Sequence, residues 1–359
     1  MQACTNHILV INPGSTSTKV AVFQGGRSMF QQDIVHSEEE LSKFEKISDQ
    51  YEFRKAIILK VLKKNGVDLK CIEAIMGRGG LIHPVPSGVI RVTEKLKHDL
   101  RNSPMGEHAS NLGGLIADDI ARKLHNAVAY IANPVVVDEF DEIARIAGHP
   151  LFERKSIYHA LNQKAIANEY ARTHSKAYEE LNLIVAHLGG GITVGAHKKG
   201  RVIDVNQGLD GEGPFSPERS GSLPIGQIIT ACFSGKYSEN EIRKMVTGKG
   251  GLMAYFNTND VRQVKTWAEE GNQKAKLIFE AMAYQVSKDI GAMFTVLSGE
   301  VDAILLTGGI AYNNDFTDLI ANRVNKLARV HVYPGEDEMK ALARIGTRVL
   351  LGELQPIEY

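Results

Sequence analysis

The chain has 359 residues, and its 42 lysines and arginines are balanced by 42 aspartates and glutamates. This length exceeds the size at which one hydrophobic core usually stops growing, so two domains are expected. Because the formal net charge is zero, no electrostatic argument favours a nucleic-acid partner or an anionic membrane surface.

Cysteine usage and the apolar pattern favour a cytoplasmic protein. Cys4, Cys71 and Cys232 have neither metal-type nor redox-type spacing, so we expect reduced thiols. The first residues lack the basic stretch, apolar run and cleavage site of a signal peptide. No apolar run approaches the ~18 residues that would span a bilayer, so we expect no membrane partner.

The first predicted element is a strand, a turn and a second strand in residues 8–23. Pro13-Gly14 marks the turn, and the β-branched run after Lys19 indicates a strand, whereas a helix follows a Walker A loop. Backbone N–H groups, hydroxyls and an ammonium at this turn could converge on an anion, although an ordinary solvated hairpin is the alternative. The side chains concerned are those of Ser15, Ser17, Thr18 and Lys19.

Helices and strands then alternate, which indicates an α/β fold. A helical pattern over residues 51–64 ends at Asn65-Gly66, and a strand over residues 71–76 runs into a glycine-rich turn that contains Arg78. Further patterns predict a helix over residues 112–127, a strand over residues 129–137 that is broken by Pro134 and delivers Asp138 at its end, and a helix over residues 156–174.

Residues 183–196 repeat the opening pattern of strand, glycine-rich turn and strand. A shift of 175 residues places Gly14 on Gly189 and Thr18 on Thr193, and a shift of 229 places residues 74–81 on residues 303–310. Two such correspondences in the same order indicate a duplicated α/β domain. The alternative is a chance likeness between turns of common composition.

A long loop rich in glycine and proline follows at residues 206–224, and loops of this length are usually functional or disordered. Arg219 within this loop is a candidate anion ligand. The last predicted elements are a helix over residues 274–297, a strand over residues 303–306 and a tail helix over residues 336–351, whose acidic first turn suits the helix dipole.

Three motifs occur in order along the chain: Asn12-Pro13-Gly14-Ser15-Thr16-Ser17-Thr18-Lys19, His187-Leu188-Gly189-Gly190-Gly191 and Thr307-Gly308-Gly309-Ile310. Together they resemble the acetokinase family, which belongs to the superfamily of acetate and sugar kinases, heat-shock ATPases and actin. Residues 77–80, 103–111 and 218–221 point the same way, so the resemblance covers essentially the whole chain.

The resemblance implies an α/β fold of duplicated ribonuclease-H-like (actin-like ATPase) domains with a nucleotide cleft between them. An N-terminal domain that binds the acid and the phosphoryl group would span residues 1–178, joined by a C-terminal helix at about residues 336–359. A nucleotide-binding domain would span residues 179–335. ATP or ADP, Mg²⁺ and a homodimer or higher homo-oligomer are also implied.

The same resemblance assigns roles to individual residues. The first phosphate loop would use Asn12, Ser15, Ser17 and Lys19, the second His187, Gly189, Gly190 and Gly191, and the loop beside the adenosine Gly308, Gly309 and Ile310. Arg78 and Arg219 would handle the acyl carboxylate and the transferring phosphoryl group. His108 and Asp138 would be active-site residues, and Glu338, with Glu336 or Asp337 as alternatives, would lie near the metal.

One segment departs from the family pattern. Acetate kinases carry Phe-His-Gly-Thr-Ser-His where this chain has residues 158–163, and we expect Asn162 to stand in the place of a catalytic histidine. An amide can donate a hydrogen bond to a phosphoryl oxygen but carries no charge. This departure, and Pro13 in place of the alanine of acetate kinases, favour a longer acid than acetate.

The residue types suit a carboxylate acceptor. Such an acid has a pKa of about 4–5 and is ionised at pH 7, so it needs no general base, but an anion must attack a polyanion. Arg78, Arg219 and Lys19 with glycine-rich loops would relieve that repulsion. The resemblance, and not these residue types, implies the acid: the expected reaction is reversible transfer of the γ-phosphoryl group of ATP to butyrate, which gives butyryl phosphate and ADP.

Several alternatives stay open at this point. The acid could be isobutyrate or another branched acid, or acetate or propionate. A sugar or polyol kinase would use Asp138 as a base, whereas we prefer a role for Asp138 in orienting the hydration shell of Mg²⁺. A non-kinase ATPase of the actin type is a further alternative.

Overall fold

The computed structural model describes residues 6–359, which form two compact units. Of the described residues, unit 1 comprises residues 6–137 and Asp337–Tyr359, and unit 2 comprises Asp138–Glu336. The C-terminal segment therefore returns to the first unit.

Eleven strands and thirteen α-helices make up the described part of the chain. The strands are β1 (His7–Pro13), β2 (Ser17–Gln24), β3 (Arg27–Val35), β4 (Ile72–Arg78), β5 (Val89–Arg91), β6 (Val128–Ala132), β7 (Asn182–Leu188), β8 (Ile192–Lys198), β9 (Arg201–Val205), β10 (Ala303–Gly308) and β11 (Val330–Pro334). The helices are α1 (Glu38–Leu41), α2 (Tyr51–Lys64), α3 (Glu94–Asn102), α4 (Asn111–Ala121), α5 (Glu142–Arg145), α6 (Ala160–Thr173), α7 (Ile225–Cys232), α8 (Glu239–Val246), α9 (Gly251–Phe256), α10 (Val261–Glu269), α11 (Gln273–Val296), α12 (Asn314–Val324) and α13 (Glu338–Leu350). Short 3₁₀-helices cover Ile47–Gln50, Leu69–Cys71, Tyr178–Glu180 and Gly309–Tyr312.

The sheet of unit 1 has the strand order β3-β2-β1-β4-β6-β5. The first three strands pair antiparallel, and β1, β4 and β6 pair parallel. Helix α4 packs on β4 and β6, and α13 packs on β1 and β4. Residues 8–13 of β1 are all buried, as expected for a strand covered on both faces.

The sheet of unit 2 repeats this arrangement with the order β11-β10-β7-β8-β9. Strands β7, β8 and β9 pair antiparallel, and β7, β10 and β11 pair parallel. Each unit thus has three antiparallel strands followed by two parallel ones in the same order, so the predicted duplication is confirmed. The opening hairpin corresponds to β7 and β8, and β4 corresponds to β10, as the two sequence shifts predict.

The two compact units divide between residues 137 and 138, whereas the sequence analysis places the domain boundary between residues 178 and 179. The difference arises because α6 belongs to the second unit. Ala167, Tyr170 and Ala171 of this helix share a buried cluster with Leu183 and Leu305 of the second sheet, among others.

The break that the sequence predicts at Pro134 is present: β6 ends at Ala132, and Pro134 has no N–H to continue the ladder. The state of the cysteines differs in part from the sequence analysis. Cys232 is a free, exposed thiol, but Cys71 is disulfide-bonded, so the expectation of reduced thiols is wrong for Cys71. Cys4 lies outside the described residues. No helix in residues 6–359 is long and apolar enough to cross a membrane.

Candidate functional site

The first glycine-rich loop, residues 14–17, is held from inside unit 1 by Arg54 of α2, which is 1% exposed. The guanidinium donates to the carbonyl oxygens of Gly14 at 2.8 Å, Ser17 at 2.9 Å and Ser15 at 3.1 Å. The remaining carbonyl, that of Thr16, accepts from the backbone N–H of His36 at 2.9 Å. All four carbonyls of the loop are therefore bound.

This arrangement leaves N–H groups of the loop available. The C=O and N–H of a trans peptide point in opposite directions, so carbonyls that are bound from inside turn N–H groups outward. Within the described residues, the backbone N–H groups of Ser15 and Thr16 have no hydrogen-bond partner, and both residues are exposed. Successive free N–H groups of this kind form an anion-binding concavity.

The charge of Arg54 adds to that attraction. Burial lowers the pKa of its guanidinium to about 10, which leaves it protonated at pH 7. Its other acceptors, Gln50 Oε1 and Thr18 Oγ1, are neutral, so a positive charge lies behind the loop. The sequence analysis missed Arg54 because it occupies a helix of ordinary amphipathic pattern.

The predicted ligands of this loop divide into two groups. The side chains of Ser15 and Lys19 are exposed and that of Ser17 is partly exposed. Thr18 is fully buried, and its hydroxyl contacts Arg54 and His36 Nε2. Thr18 therefore supports the loop from inside the unit. The sequence analysis instead predicts that its hydroxyl contacts an anionic ligand.

Asn12, Arg78 and Glu338 meet in unit 1, where the ends of β1 and β4 and the start of α13 come together. Glu338 Oε2 accepts from Arg78 Nη1 at 2.9 Å and from Asn12 Nδ2 at 2.8 Å. Arg78 Nη1 also lies 3.4 Å from Asn12 Oδ1. Glu338 is 6% exposed, so this carboxylate is buried together with its two donors.

The three acidic residues of the tail have three different partners. Glu336 Oε1 lies 3.1 Å from His187 Nε2 in unit 2. Asp337 caps α13 by accepting from the backbone N–H of Lys340. Of the three, only Glu338 forms an ion pair with Arg78. The sequence could not predict which acidic residue of this turn has which partner.

The second glycine-rich turn, between β7 and β8 of unit 2, packs against Arg219. A Cβ on Gly191 would lie 1.8 Å from Arg219 Nη1, so only glycine lets the guanidinium occupy its position. Arg219 Nη1 donates to the carbonyl of Gly208, and burial lowers the pKa of its guanidinium. Within residues 6–359, no carboxylate forms an ion pair with Arg219, so its charge is available to an anion.

The same turn borders a cavity of about 950 Å³ in unit 2. This volume is in the range of small-molecule sites, about 300–1,000 Å³. Five of its lining residues lie in the predicted motifs or are a predicted alternative: Gly189, Gly190, Gly309, Ile310 and Glu336. The rest of the lining comes mainly from residues 259–269 and 312–315, which carry no motif and were missed.

Gly308 brings the third motif close to the second. Its φ is +93°, and a Cβ there would lie 2.3 Å from the carbonyl oxygen of Leu188 at the end of β7. A side chain at this position would therefore push β10 away from the glycine turn.

His187 and Asn162 are both buried in unit 2 and contact each other. His187 Nδ1 lies 2.8 Å from Asn162 Oδ1, and Glu336 lies at its other nitrogen. The ring of His159 stacks on the ring of His187 at 3.8 Å between centroids. His159 is a second ring at the start of the glycine turn that the sequence analysis missed.

Counting along the segment 158–163 corrects the assignment of Asn162. The two histidines of Phe-His-Gly-Thr-Ser-His are its second and sixth residues, which correspond to His159 and Gln163 of this chain. Asn162 falls on the serine, so the assignment of Asn162 to a histidine position is wrong by one residue. The first histidine is retained, and the departure is at Gln163.

Asp138 and His108 have close structural partners. Both carboxylate oxygens of Asp138 accept from Arg145, at 2.7 and 2.9 Å, and Asp138 belongs to unit 2 and not to the first domain as predicted. His108 Nδ1 lies 2.9 Å from the hydroxyl of Ser110, at the start of α4. His108 therefore lies at the N-terminus of a helix in unit 1.

Comparison with known proteins agrees with this fold and these motifs. Residues 150–354 match the acetokinase family. Butyrate kinase 2 of Clostridium acetobutylicum is 54% identical over 352 residues, which cover 98% of this chain and 99% of that protein.

Solved structures share the fold at low sequence identity. Acetate kinase of Porphyromonas gingivalis has a TM-score of 0.76 at 18% identity, over 96% of this chain and 99% of that one. A propionate kinase of Francisella tularensis has a TM-score of 0.73 at 20% identity, over 94% of this chain and 98% of that one. The architecture is thus the duplicated α/β architecture of the actin-like ATPases, and the chain belongs to the acetokinase family.

The contact between Gly191 and Arg219 gives a matched pair of variants. We expect Gly191→Ala to lower the midpoint of thermal unfolding by about 2–6 °C, because the new methyl group overlaps the guanidinium. Gly190→Ala is the control, because its Cβ would lie 3.7 Å from the nearest atom, Glu218 Oε2. Calorimetry of both variants checks this, and equal midpoints for the two would contradict the packing described.

Proposed function

We propose that this chain is a butyrate kinase, which transfers the γ-phosphoryl group of ATP reversibly to butyrate and forms butyryl phosphate and ADP. The observation that carries this proposal is the 54% identity to butyrate kinase 2 over nearly the whole length of both chains. The cationic groups of the two units fit the reaction.

The chemistry requires charge stabilisation and no general base. A carboxylate oxygen forms a bond to the γ-phosphorus while the bond from that phosphorus to the oxygen of ADP breaks. Both reactants are anionic, so donors that face the developing charge lower the barrier. Arg78, Arg219 and Lys19 are the side chains that we assign to this task.

Each unit contains one glycine-rich turn whose geometry suits part of a nucleotide. In unit 1, the outward N–H groups of Ser15 and Thr16 suit phosphate oxygens, with Arg54 behind them. In unit 2, the cavity that Gly189, Gly309 and Ile310 line suits the adenosine. These assignments keep the roles that the sequence resemblance implies.

The acidic residues fit Mg²⁺ only as a minor ligand set. Among residues 6–359 no group of three histidine, cysteine or acidic side chains could hold a metal ion. Mg²⁺ usually keeps water and phosphate ligands with one or two carboxylates, and Glu338 would be that carboxylate. The ion would supply positive charge to the phosphate oxygens.

Asp138 does not favour an alcohol as the acceptor. A general base needs a free oxygen toward the hydroxyl, and both oxygens of Asp138 accept from Arg145. Asp138 therefore gives no support to the alternative of a sugar or polyol kinase. The length and branching of the acid are decided by experiment.

The substrate is tested by an acid series. The purified protein is incubated with ATP, Mg²⁺ and acids from acetate to valerate, with isobutyrate and glycerol included, and ADP release and acyl phosphate are both measured. We expect the highest kcat/KM with butyrate. No turnover with any straight or branched acid of three to five carbons would contradict the proposal, and turnover of glycerol alone would favour an alcohol kinase.

The role of Arg78 is tested by a substitution that keeps the charge. Arg78→Lys is expected to lower kcat/KM for butyrate by about 100-fold, because an ammonium cannot contact an anion with two parallel donors. Arg101→Lys, at an exposed position of α3, is the matched control. If both variants keep wild-type kinetics, Arg78 has no role in the reaction.

We also propose that the protein is a cytoplasmic homodimer that forms through α7 and α8. Neither helix contains a buried residue. Large apolar side chains on and around them are exposed: Leu223, Ile225, Ile229, Phe233, Tyr237 and Met245. Helix α8 is acidic in its first turn and basic in its last, so a two-fold-related copy would place opposite charges together.

Light scattering after size-exclusion chromatography tests the dimer. We expect a mass twice that of the 39.4 kDa chain. The double variant Ile229→Glu, Phe233→Glu should run as a monomer, whereas Ile143→Glu, at an exposed apolar position outside these helices, should leave the mass unchanged. A monomeric wild-type protein would contradict the proposal.

A further inference from the structure

A chain of hydrogen bonds joins five side chains in unit 2 and ends at His159. Tyr178 OH lies 2.7 Å from His197 Nδ1, and His197 Nε2 lies 3.0 Å from Gln163 Oε1. Gln163 Nε2 lies 2.9 Å from Thr193 Oγ1, which lies 2.9 Å from His159 Nδ1. The first four side chains are buried, so water does not replace these contacts.

The carbonyl oxygen of Thr193 fixes the direction of the whole chain. Gln163 Nε2 lies 3.1 Å from this oxygen, which can only accept a hydrogen bond. The amide nitrogen of Gln163 must therefore face Thr193, and its oxygen must face His197. Gly195 leaves room for this amide, because a Cβ there would lie 2.6 Å from Gln163 Oε1.

The orientation of Gln163 determines the protonation of His197. Since Gln163 Oε1 only accepts, His197 Nε2 carries the hydrogen. Burial and the charge of Lys164 hold the pKa of His197 well below its usual value, so its Nδ1 has no hydrogen at pH 7. Burial raises the pKa of Tyr178, whose hydroxyl keeps its proton and donates it to Nδ1.

The same orientation determines the hydrogen of the Thr193 hydroxyl. Its oxygen already accepts from Gln163, and in the part of the chain that the structure describes its only other hydrogen-bond partner is His159 Nδ1. The buried hydroxyl is satisfied only if it donates to that nitrogen. His159 Nδ1 is then an acceptor, and the ring carries its hydrogen on Nε2.

We propose that Thr193, Gln163, His197 and Tyr178 are positioning residues that hold His159 in the tautomer with its hydrogen on Nε2. Every donor in the chain points the same way, from Tyr178 toward His159. Reversal would place two acceptors together at the Thr193 carbonyl. The imidazole of His159 is thus a fixed hydrogen-bond donor at Nε2. Its orientation is set by a chain of hydrogen bonds that begins four side chains away, at Tyr178.

A fixed donor is useful beside a transferring phosphoryl group. His159 stacks on His187 at the end of β7, next to the glycine turn of unit 2. Its Nε2–H would donate to a phosphoryl oxygen as charge develops there, without any proton transfer. This use of the donor rests on the proposed function, whereas the tautomer itself does not.

The tautomer is measured by NMR on the full-length protein with ¹⁵N-labelled histidine. The chain has 12 histidines, and His159 is assigned by the signal that His159→Gln removes. We expect the His159 ring at pH 7.5 to show one protonated nitrogen, Nε2, and one unprotonated nitrogen, Nδ1. A hydrogen on Nδ1, alone or together with one on Nε2, would overturn the inference.

Two variants at Thr193 separate positioning from folding. Thr193→Val keeps the β-branched shape in β8 but removes the hydroxyl, and it should give a mixture of tautomers and lower kcat for butyrate by about two- to fivefold, in proportion to the fraction of His159 that has lost its Nε2 hydrogen. Thr193→Ser restores the donor and should restore the single tautomer and most of kcat.

The outcomes also distinguish this inference from the proposed function. An unchanged tautomer and unchanged kcat in Thr193→Val would overturn the inference, even if the protein phosphorylates butyrate. If Thr193→Val does not fold, Thr193→Ala provides the same test, because it also removes the hydroxyl that donates to His159 Nδ1 and adds no bulk to the buried strand. A wild-type protein with the expected tautomer and no kinase activity would reject the function alone.

Discussion

The first loop depends on a buried guanidinium that binds main-chain carbonyl oxygens. Arg54 donates six hydrogen bonds, four of which go to residues 14–18, and each such bond from a charged group contributes about 1.5–3 kcal/mol. Of these carbonyls, only that of Ser17 also accepts from within the loop, from the N–H of Gly14 at 2.8 Å. The conformation of the loop, the direction of its N–H groups and a positive charge behind it therefore have one common source.

The glycine-rich turn of unit 2 is held by different contacts from those that hold the loop of unit 1. Among residues 6–359, no arginine donates to the carbonyls of this turn, and Arg219 instead packs on the face of Gly191. The neighbouring rings are oriented by polar partners: the buried Asn162 and the exposed Glu336 contact His187, and the buried Thr193 contacts His159. In both units, buried hydrogen bonds fix the glycine-rich turns or the side chains beside them, since an unmet buried donor or acceptor is costly.

The sequence predicted those parts of the fold and site that rest on local pattern. The hairpin at residues 8–23, the second hairpin and the duplication follow from alternation, glycine turns and two constant shifts. Arg54 and His159 could not be found in this way, because their roles depend on which groups the tertiary fold brings beside them. The acidic residues 336–338 look alike in sequence. Their different partners become evident only in the structure, where α13 begins at Glu338.

The measurement that tests the account most directly follows the attacking oxygen. Butyrate labelled with ¹⁸O in both carboxylate positions is incubated with the protein, ATP and Mg²⁺, and the product is examined by ³¹P NMR. A carboxylate kinase places ¹⁸O in the bridge between the acyl carbon and phosphorus, so the acyl phosphate signal should show the isotope shift of one bonded ¹⁸O. Hydrolysis of ATP without an acyl phosphate, or a product with no ¹⁸O on phosphorus, would contradict the account.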